Sequence, residues 1–547
     1  MTVRLEERRG RGFMLRGETL RIAAAEDDLG VAEAAGGQVT LILHGYLDLG
    51  EGPVLTGHRA AERLARAYVE RGESFLDGVV GGYALVLTDG RSGRRYAARD
   101  AAGEGSLFAA EYAGLLAVGT EPAETAAAVG ADRPSLAAFA QFLLLNYTLG
   151  DTWFLEGVRP LTPGVLHLLA PDGITRIRTT SGYPGRGDEN LPAPRPGELA
   201  EALADAARRL LGEQAALHLS GGVDTSLIAH ALRRTPDSRA LRTYSAFYRD
   251  EDADRVWAAS VAAETASDHR ELAIPSDESF LDVVDGLVGA LGAPVMAIGV
   301  PTFWHLGRAA DQGGTPVVLS GVAADHPLVG WNRLDRLEGA QIGPRDLPVR
   351  CAVHVAPEIL APYLVDGELR AATEEVQERL RELMPYGESP ARSIERFHAE
   401  HFLPEHLRSA AVAHGLHGVR VRHPFLAPEV SGLGFRAARS REESVGKRYL
   451  RRELDALGCW AGARRGKQQQ ALSFESFRVL VRERLLGQLA SGPDLFGLDV
   501  GRLSRLAASD QPAPAQELRL LWLVHSYLSW RERRPAAVAP APVLLPL

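Results

Sequence analysis

Lysine and cysteine are nearly missing from this chain of 547 residues, and each shortage excludes something. The two cysteines, Cys351 and Cys459, are too few for a disulfide framework or a four-ligand zinc site. A reducing cytoplasm is the compartment this implies. No apolar stretch reaches the roughly 18 residues of a membrane span. The opening MTVRLEERRGRGF is charged throughout, so neither a span nor a secretory signal is expected. A basic surplus is missing as well. The net charge of -9 argues against nucleic acid as a partner.

What remains is the composition of a folded protein, 46% hydrophobic and 24% charged, with length for two or three full cores. Of 61 Lys+Arg only Lys447 and Lys467 are lysines, which leaves 59 arginines. Where arginine supplies every generic positive charge, a lysine marks a place that needs a compact, mobile ammonium.

Residues 1–180 read as short strands, VTLILHG (39–45), YALVLTD (83–89), RRYAARD (94–100) and LLAVGT (115–120), with Gly-rich turns between them. One helical pattern, RAAERLARAYVERG (59–72), interrupts them, which predicts a strand-dominated α+β domain. Gly, Pro and charged residues then displace apolar ones over 181–197, a linker. From residue 198 the pattern changes. Helix 198–212, strand 216–220, helix 225–234, strand 241–248, helix 253–266 and strand 315–320 alternate as in a parallel sheet with helices on both faces. Beyond about residue 340 the chain reads as helical, up to an amphipathic segment at 515–533. The second domain is taken as 198–534, and the Pro/Ala tail 535–547 is expected to be disordered.

The most specific local signal is LHLSGGVDTSL (217–227). A strand ends, Ser220-Gly221-Gly222 turns sharply, and a helix begins near Asp224. The glycines let the backbone wrap an anion, the hydroxyls of Ser220, Thr225 and Ser226 can donate to it, and the helix start supplies unpaired N–H groups. An ordinary βα turn capped by Asp or Thr explains some of these letters. The Ser-Gly-Gly-x-Asp order, however, matches the pyrophosphate loop of ATP pyrophosphatases. A magnesium ion between phosphates usually takes more than one carboxylate. A second acid, Asp325, stands after small residues in VVLSGVAADHPLVGW (317–331), where a strand end would bring it to the same ligand.

With these residues in place the chain resembles the asparagine-synthetase superfamily of ATP-dependent amide-forming enzymes. HGYLDL (44–49), FLDGVVGGYALVLTD (75–89), AARDAAGEGSLF (97–108), VGTEP (118–122) and TPGVLHLLAPDG (162–173) resemble the family's glutamine-hydrolysing domain. SGGVDTS, SGVAAD, VRHPFLAPEV (421–430), GKRYLRREL (446–454) and RRGK (464–467) follow in the family's order. The resemblance implies an N-terminal glutaminase-like (Ntn-type) α+β domain, an ATP-pyrophosphatase-type α/β synthetase domain, ATP and Mg2+ as cofactors, and Asp224 and Asp325 as metal ligands. Lys447 and Lys467 fall on the two lysine positions of relatives that form cyclic amides, beside the phosphates and the developing oxyanion.

Several family positions are changed. Thr2 stands where glutamine-dependent members have a cysteine nucleophile, the family's Asn-Gly reads His44-Gly45, and its following Glu is Tyr46. The N-terminal domain is therefore expected to be catalytically degenerate. β-Lactam and carbapenam synthetases use a Tyr–Glu pair as base, but those positions fall on Val322 and Ala438 here. Lacking that base, the chain suits a nucleophile that is already good. The best-fitting branch is that of lasso-peptide macrolactam synthetases, with a leader-processed precursor peptide as substrate, a leader-binding protein and leader peptidase as companions, and no metal cluster. The alternatives are a β-lactam-type or other small-molecule amide ligase, and a non-catalytic peptide- or nucleotide-binding paralogue. His326 reads as a base or substrate contact, or as a helix cap. Tyr244, Ser245 and Phe247 fall where the family contacts adenine through backbone. Asp254 is either a nucleotide-site acid or a charge on a helix dipole. The histidine-rich stretch 398–420 reads as a substrate-cavity or packing helix without zinc spacing.

Overall fold

Alternation decides the first half. In Val39–Asp48, Leu41, Leu43 and Leu47 face one core while Ile42 faces another, and Leu85 and Leu87 against Ala84 and Val86 do the same in Val80–Asp89. The first core lies under the helix Gly57–Arg71, and the second joins two sheets face to face. One sheet has the order Gly173–Thr179, Val165–Ala170, Arg94–Arg99, Val80–Asp89, Val39–Asp48, Leu29–Ala34, all antiparallel, with Leu55–Thr56 beside Val39–Asp48. The other has the order Thr2–Glu6, Thr19–Ala23, Gly12–Arg16, Leu115–Gly119, Phe108–Tyr112, Val158–Pro160. Helices Pro122–Val129 and Leu136–Leu145 cover its outer face. The result is a helix, sheet, sheet, helix stack, the α+β arrangement expected for this half. This computed structural model describes residues 2–6, 12–16, 19–23, 28–170, 173–180, 191–211, 215–234, 241–249, 252–326, 345–365, 367–384, 390–437, 447–464 and 472–533. The tail 535–547, residues 181–190 of the linker, Lys467 and Ala438 lie outside the described residues.

The second half is built on a parallel sheet in the order Asp268–Ala273, Arg242–Phe247, Ala215–His218, Val317–Leu319, Arg420–Arg422. Two of these strands, Asp268–Ala273 and Arg420–Arg422, carry no apolar run, and the sequence pattern does not announce them. The helix Glu198–Leu210 buries Leu199, Leu203, Ala206, Ala207 and Leu210 on one face. Its Glu198 and Glu201 begin it and Arg208 and Arg209 end it, each complementing the helix dipole. Among the described residues no helix is long and apolar enough to cross a membrane.

The two halves share one core. Helix Leu136–Leu145 is apolar nearly all round, capped by the Ser135 side chain on Ala138 N–H and ended by left-handed Asn146. Its Phe139 ring lies 4.4 Å from that of Tyr527 and 5.6 Å from that of Phe496. Polar contacts add a second seam. Arg209 donates to Asp48 at 3.0 Å and also pairs with Glu429. Arg420 and Arg422, on the edge strand of the parallel sheet, reach Asp28 at 3.2 and 3.7 Å. The Arg422 guanidinium lies 4.1 Å from the Tyr46 ring centroid, and the Tyr46 hydroxyl donates to Glu104 Oε2 at 2.9 Å.

Burial, together with the neighbouring Asp100 and Asp28 carboxylates, pushes Glu104 up to about 8, although Tyr46 and Arg422 pull it the other way. Between the ordinary carboxyl value of 4.5 and the folded value of about 8, the native state holds a proton that the unfolded chain has lost. The stability this gives is complete at the acid end of that window and declines as pH rises through it. Melting temperature measured from about pH 5 to about pH 9 is thus expected to fall less steeply in Glu104→Gln than in the wild type. Parallel curves would remove Glu104 as the cause.

Candidate active site

The Ser220–Ser226 loop sits at the carboxyl end of the central strand Ala215–His218, where ligands collect in an open α/β sheet. Leu219 N–H is tied to Tyr244 O at 2.8 Å, and the chain then turns through Gly221 at φ 66°. A Cβ at Gly221 would collide with the backbone of Trp257 and Ala258, so this position needs both a left-handed residue and one without a side chain. Helix Val223–Arg233 begins at once. Ser220 N–H donates to Thr225 Oγ1 at 3.2 Å, and Gly222 N–H donates to Ser220 Oγ at 3.2 Å. Ser226 is fully buried, and its Oγ has no hydrogen-bond partner among the described residues. An orphaned hydroxyl one turn into a helix N-terminus fits an anionic ligand.

Asp325 follows the adjacent strand Val317–Leu319. The two loops meet at Gly321, where a Cβ would stand 2.9 Å from Thr225 Cγ2 and 3.2 Å from Asp224 Cβ. Ala323 takes φ 78°, a conformation that L-residues resist, on the way to Asp325. Lys447 completes the arrangement. Its Nζ donates to Asp224 Oδ1 and Oδ2, both at 2.6 Å, and lies 2.7 Å from Asp325 Oδ1. Lys447 is itself left-handed, φ 56°, at the start of helix Arg448–Ala456. Burial disfavours its ammonium, but the carboxylates of Asp224 and Asp325 outweigh that and raise its pKa well above the usual lysine value. Two carboxylates from neighbouring loops converging on a buried cation form a donor set that suits a hard divalent ion such as Mg2+. Sequence reading selected all three residues without revealing that they touch.

His326 is 2% exposed beside Asp325, and burial holds it down to about 3. It belongs to a wall of buried neutral imidazoles. His218 and His414 stack at 4.8 Å with their Nε2 atoms 3.3 Å apart, and burial lowers His414 to about 4 and His423 to about 3. The stretch 398–420 thus uses His414 in packing. Tyr244 is fully buried, its hydroxyl 3.3 Å from Thr315 Oγ1, and Ser245 Oγ lies 3.2 Å from His269 Nε2. Neither side chain joins the loop. Asp254 is buried in the first turn of helix Ala253–Glu264, the helix that backs Gly221. Val322 packs on the apolar core, and its N–H is tied to Ser320 Oγ at 3.2 Å. Thr2 opens the strand Thr2–Glu6, in register with Thr19.

A family model described as asparagine synthase matches residues 198–532, more than half of the chain. The chain belongs to the asparagine synthase family. Residues 198–532 are accordingly a domain of the ATP-dependent amide-ligase type. A second family model, the glutamine amidotransferase domain, matches residues 48–180. No curated protein compared with the chain matches it. Among solved structures, the chain is similar to glutamine phosphoribosylpyrophosphate amidotransferase from B. subtilis complexed with ADP and GMP. That match has 12% identity and a TM-score of 0.20, and covers 53% of this chain and 63% of that one. An allosteric regulatory enzyme of purine biosynthesis matches at 11% identity and a TM-score of 0.19, covering 46% of this chain and 63% of that one. The chain thus spans less than two thirds of either structure.

Replacing Lys447 by Met removes the ammonium that stands between Asp224 and Asp325. This is expected to cost about 2 kcal/mol, less than for a fully buried pair because both carboxylates are partly exposed. Millimolar Mg2+ is expected to raise the melting temperature of Lys447→Met more than that of the wild type, since the ion replaces the lost charge. Equal Mg2+ responses would show that the carboxylates do not form a divalent-ion site.

Proposed function

We propose that the protein uses ATP to join a carboxylate to an amine through an acyl-adenylate, and that both groups belong to one peptide. Its N-terminal amine would close on an Asp or Glu side chain, as in lasso-peptide macrolactam synthetases. The observation that carries the reading is the convergence of Asp224, Asp325 and Lys447 at the carboxyl ends of two adjacent parallel strands, against a Ser-Gly-Gly turn. Asp224 and Asp325 would hold Mg2+, which screens phosphate charge when bound. The Ser220–Ser226 loop would receive the pyrophosphate. Lys447 would lie against phosphate, and Lys467 would stabilise the tetrahedral oxyanion.

The steps balance simply. A carboxylate oxygen of the peptide bonds to the α-phosphorus and pyrophosphate leaves. The amine then bonds to the acyl carbon, loses its proton, and AMP departs with the carboxylate oxygen. An α-amine has a pKa of roughly 8, so a usable fraction is unprotonated at neutral pH without a strong base. An aliphatic, core-packed Val322 agrees with that, because a secondary amide nitrogen would require a base at this point. Holding both reactants on one chain supplies much of the rate. A leader-binding protein and a leader peptidase would deliver the processed peptide.

Mass spectrometry of linear core peptides incubated with the protein, ATP and Mg2+, with AMP and ADP quantified, tests the reading. Loss of one water with matching AMP, absent in Asp224→Ala and Lys467→Ala, is the expected result. AMP formation with small β-amino acids but never with peptides would replace it with a small-molecule synthetase. No AMP, even with the processing proteins added, would leave a non-catalytic binding protein.

A further inference from the structure

We propose that His230, Glu264 and Cys459 bind a zinc ion behind the nucleotide loop, with water as the fourth ligand. His230 lies in the last turn of helix Val223–Arg233, Glu264 ends helix Ala253–Glu264, and Cys459 stands between helices Arg448–Ala456 and Trp460–Arg464. One donor atom from each lies within 4.8 Å of the other two. His230 is 7% exposed and Cys459 is fully buried, while Glu264 reaches the surface. Glu264 thus places one donor of the cluster at the surface. His230 Nε2 is buried, lies 3.3 Å from Glu264 Oε2 and makes no well-aligned hydrogen bond among the described residues. Burial lowers the imidazole pKa and keeps the ring neutral, the form that ligates metal.

Sulfur, nitrogen and carboxylate oxygen together select a borderline-soft ion in tetrahedral geometry, which describes zinc, whereas Mg2+ and Ca2+ take oxygen alone. On binding, the Cys459 thiol gives up its proton and a Zn–S bond forms, with no change of oxidation state. The position defines the role. Each donor is on, or directly follows, a helix tied to the nucleotide loop. The helix of His230 carries Asp224, that of Glu264 backs Gly221, and the one preceding Cys459 opens with Lys447. Six residues of helix separate His230 from Asp224, about 9 Å, too far for the ion to meet a ligand of Asp224. The zinc acts as a structural clamp on the three elements, independent of what the nucleotide site does.

The full-length chain, loaded with Zn2+ and passed into metal-free buffer, is expected to retain stoichiometric zinc. After exchange to Co2+ it is expected to show the near-ultraviolet thiolate-to-cobalt charge-transfer absorption. Zinc and absorption should both be lost in Cys459→Ser and in His230→Asn, and both retained in Cys351→Ser, which removes the other thiol of the chain. Background metal in the wild type would overturn the proposal. So would a charge-transfer band that survives Cys459→Ser, or one that disappears in Cys351→Ser.

Discussion

One ammonium, Lys447 Nζ, is held between the carboxylates of Asp224 and Asp325 where two adjacent parallel strands end, and the arrangement of both loops depends on that contact. In the proposed reaction a divalent cation on the carboxylates would free that ammonium for the phosphates. The contact also explains why lysine persists here in a chain of 59 arginines. Three oxygens from two side chains approach Nζ at 2.6, 2.6 and 2.7 Å, a cluster that suits a small charge with three donors and not a planar fork. Two left-handed non-glycine residues, Ala323 and Lys447, bring Asp325 and the ammonium to that point. The surrounding parallel sheet has to be rigid enough to hold that strain.

The N-terminal half contributes to that rigidity whatever its own chemistry. Helix Leu136–Leu145 is buried against Tyr527 and Phe496, so removing the first half would open the core of the second. The polar seam works the same way. Arg422 extends from the edge of the parallel sheet to the Tyr46 ring. That contact gives the N-terminal half a structural role beside the parallel sheet.

Features of this protein that rest on local chemistry could be read from its sequence. The Ser-Gly-Gly turn, Asp325 after a strand, and two lysines among arginines are each visible in a few consecutive letters. Features that rest on long-range pairing could not be read. DHRELA and RVR form strands because the parallel sheet recruits their backbones, and neither has the apolar run that marks a buried strand. The charged opening of the chain pairs as strands for the same reason. Tyr46, Glu104 and Arg422 come together across hundreds of residues, and so do His230, Glu264 and Cys459. On Arg242–Phe247 the Tyr244 side chain enters the core and Ser245 Oγ lies beside His269, neither of which a few consecutive letters announce.

At the domain seam the Tyr46 phenol is hydrogen-bonded to Glu104 and covered by the Arg422 guanidinium, which also reaches Asp28. A buried cation stacked on an aromatic ring and paired with a carboxylate is costly to displace, because moving one member weakens the contacts of the others. The changed residues at 44–46 and the aliphatic Val322 then describe one condition seen from two sides. In the proposed reaction the substrate brings a nucleophile that needs neither an amine released by the N-terminal half nor a strong base at Val322.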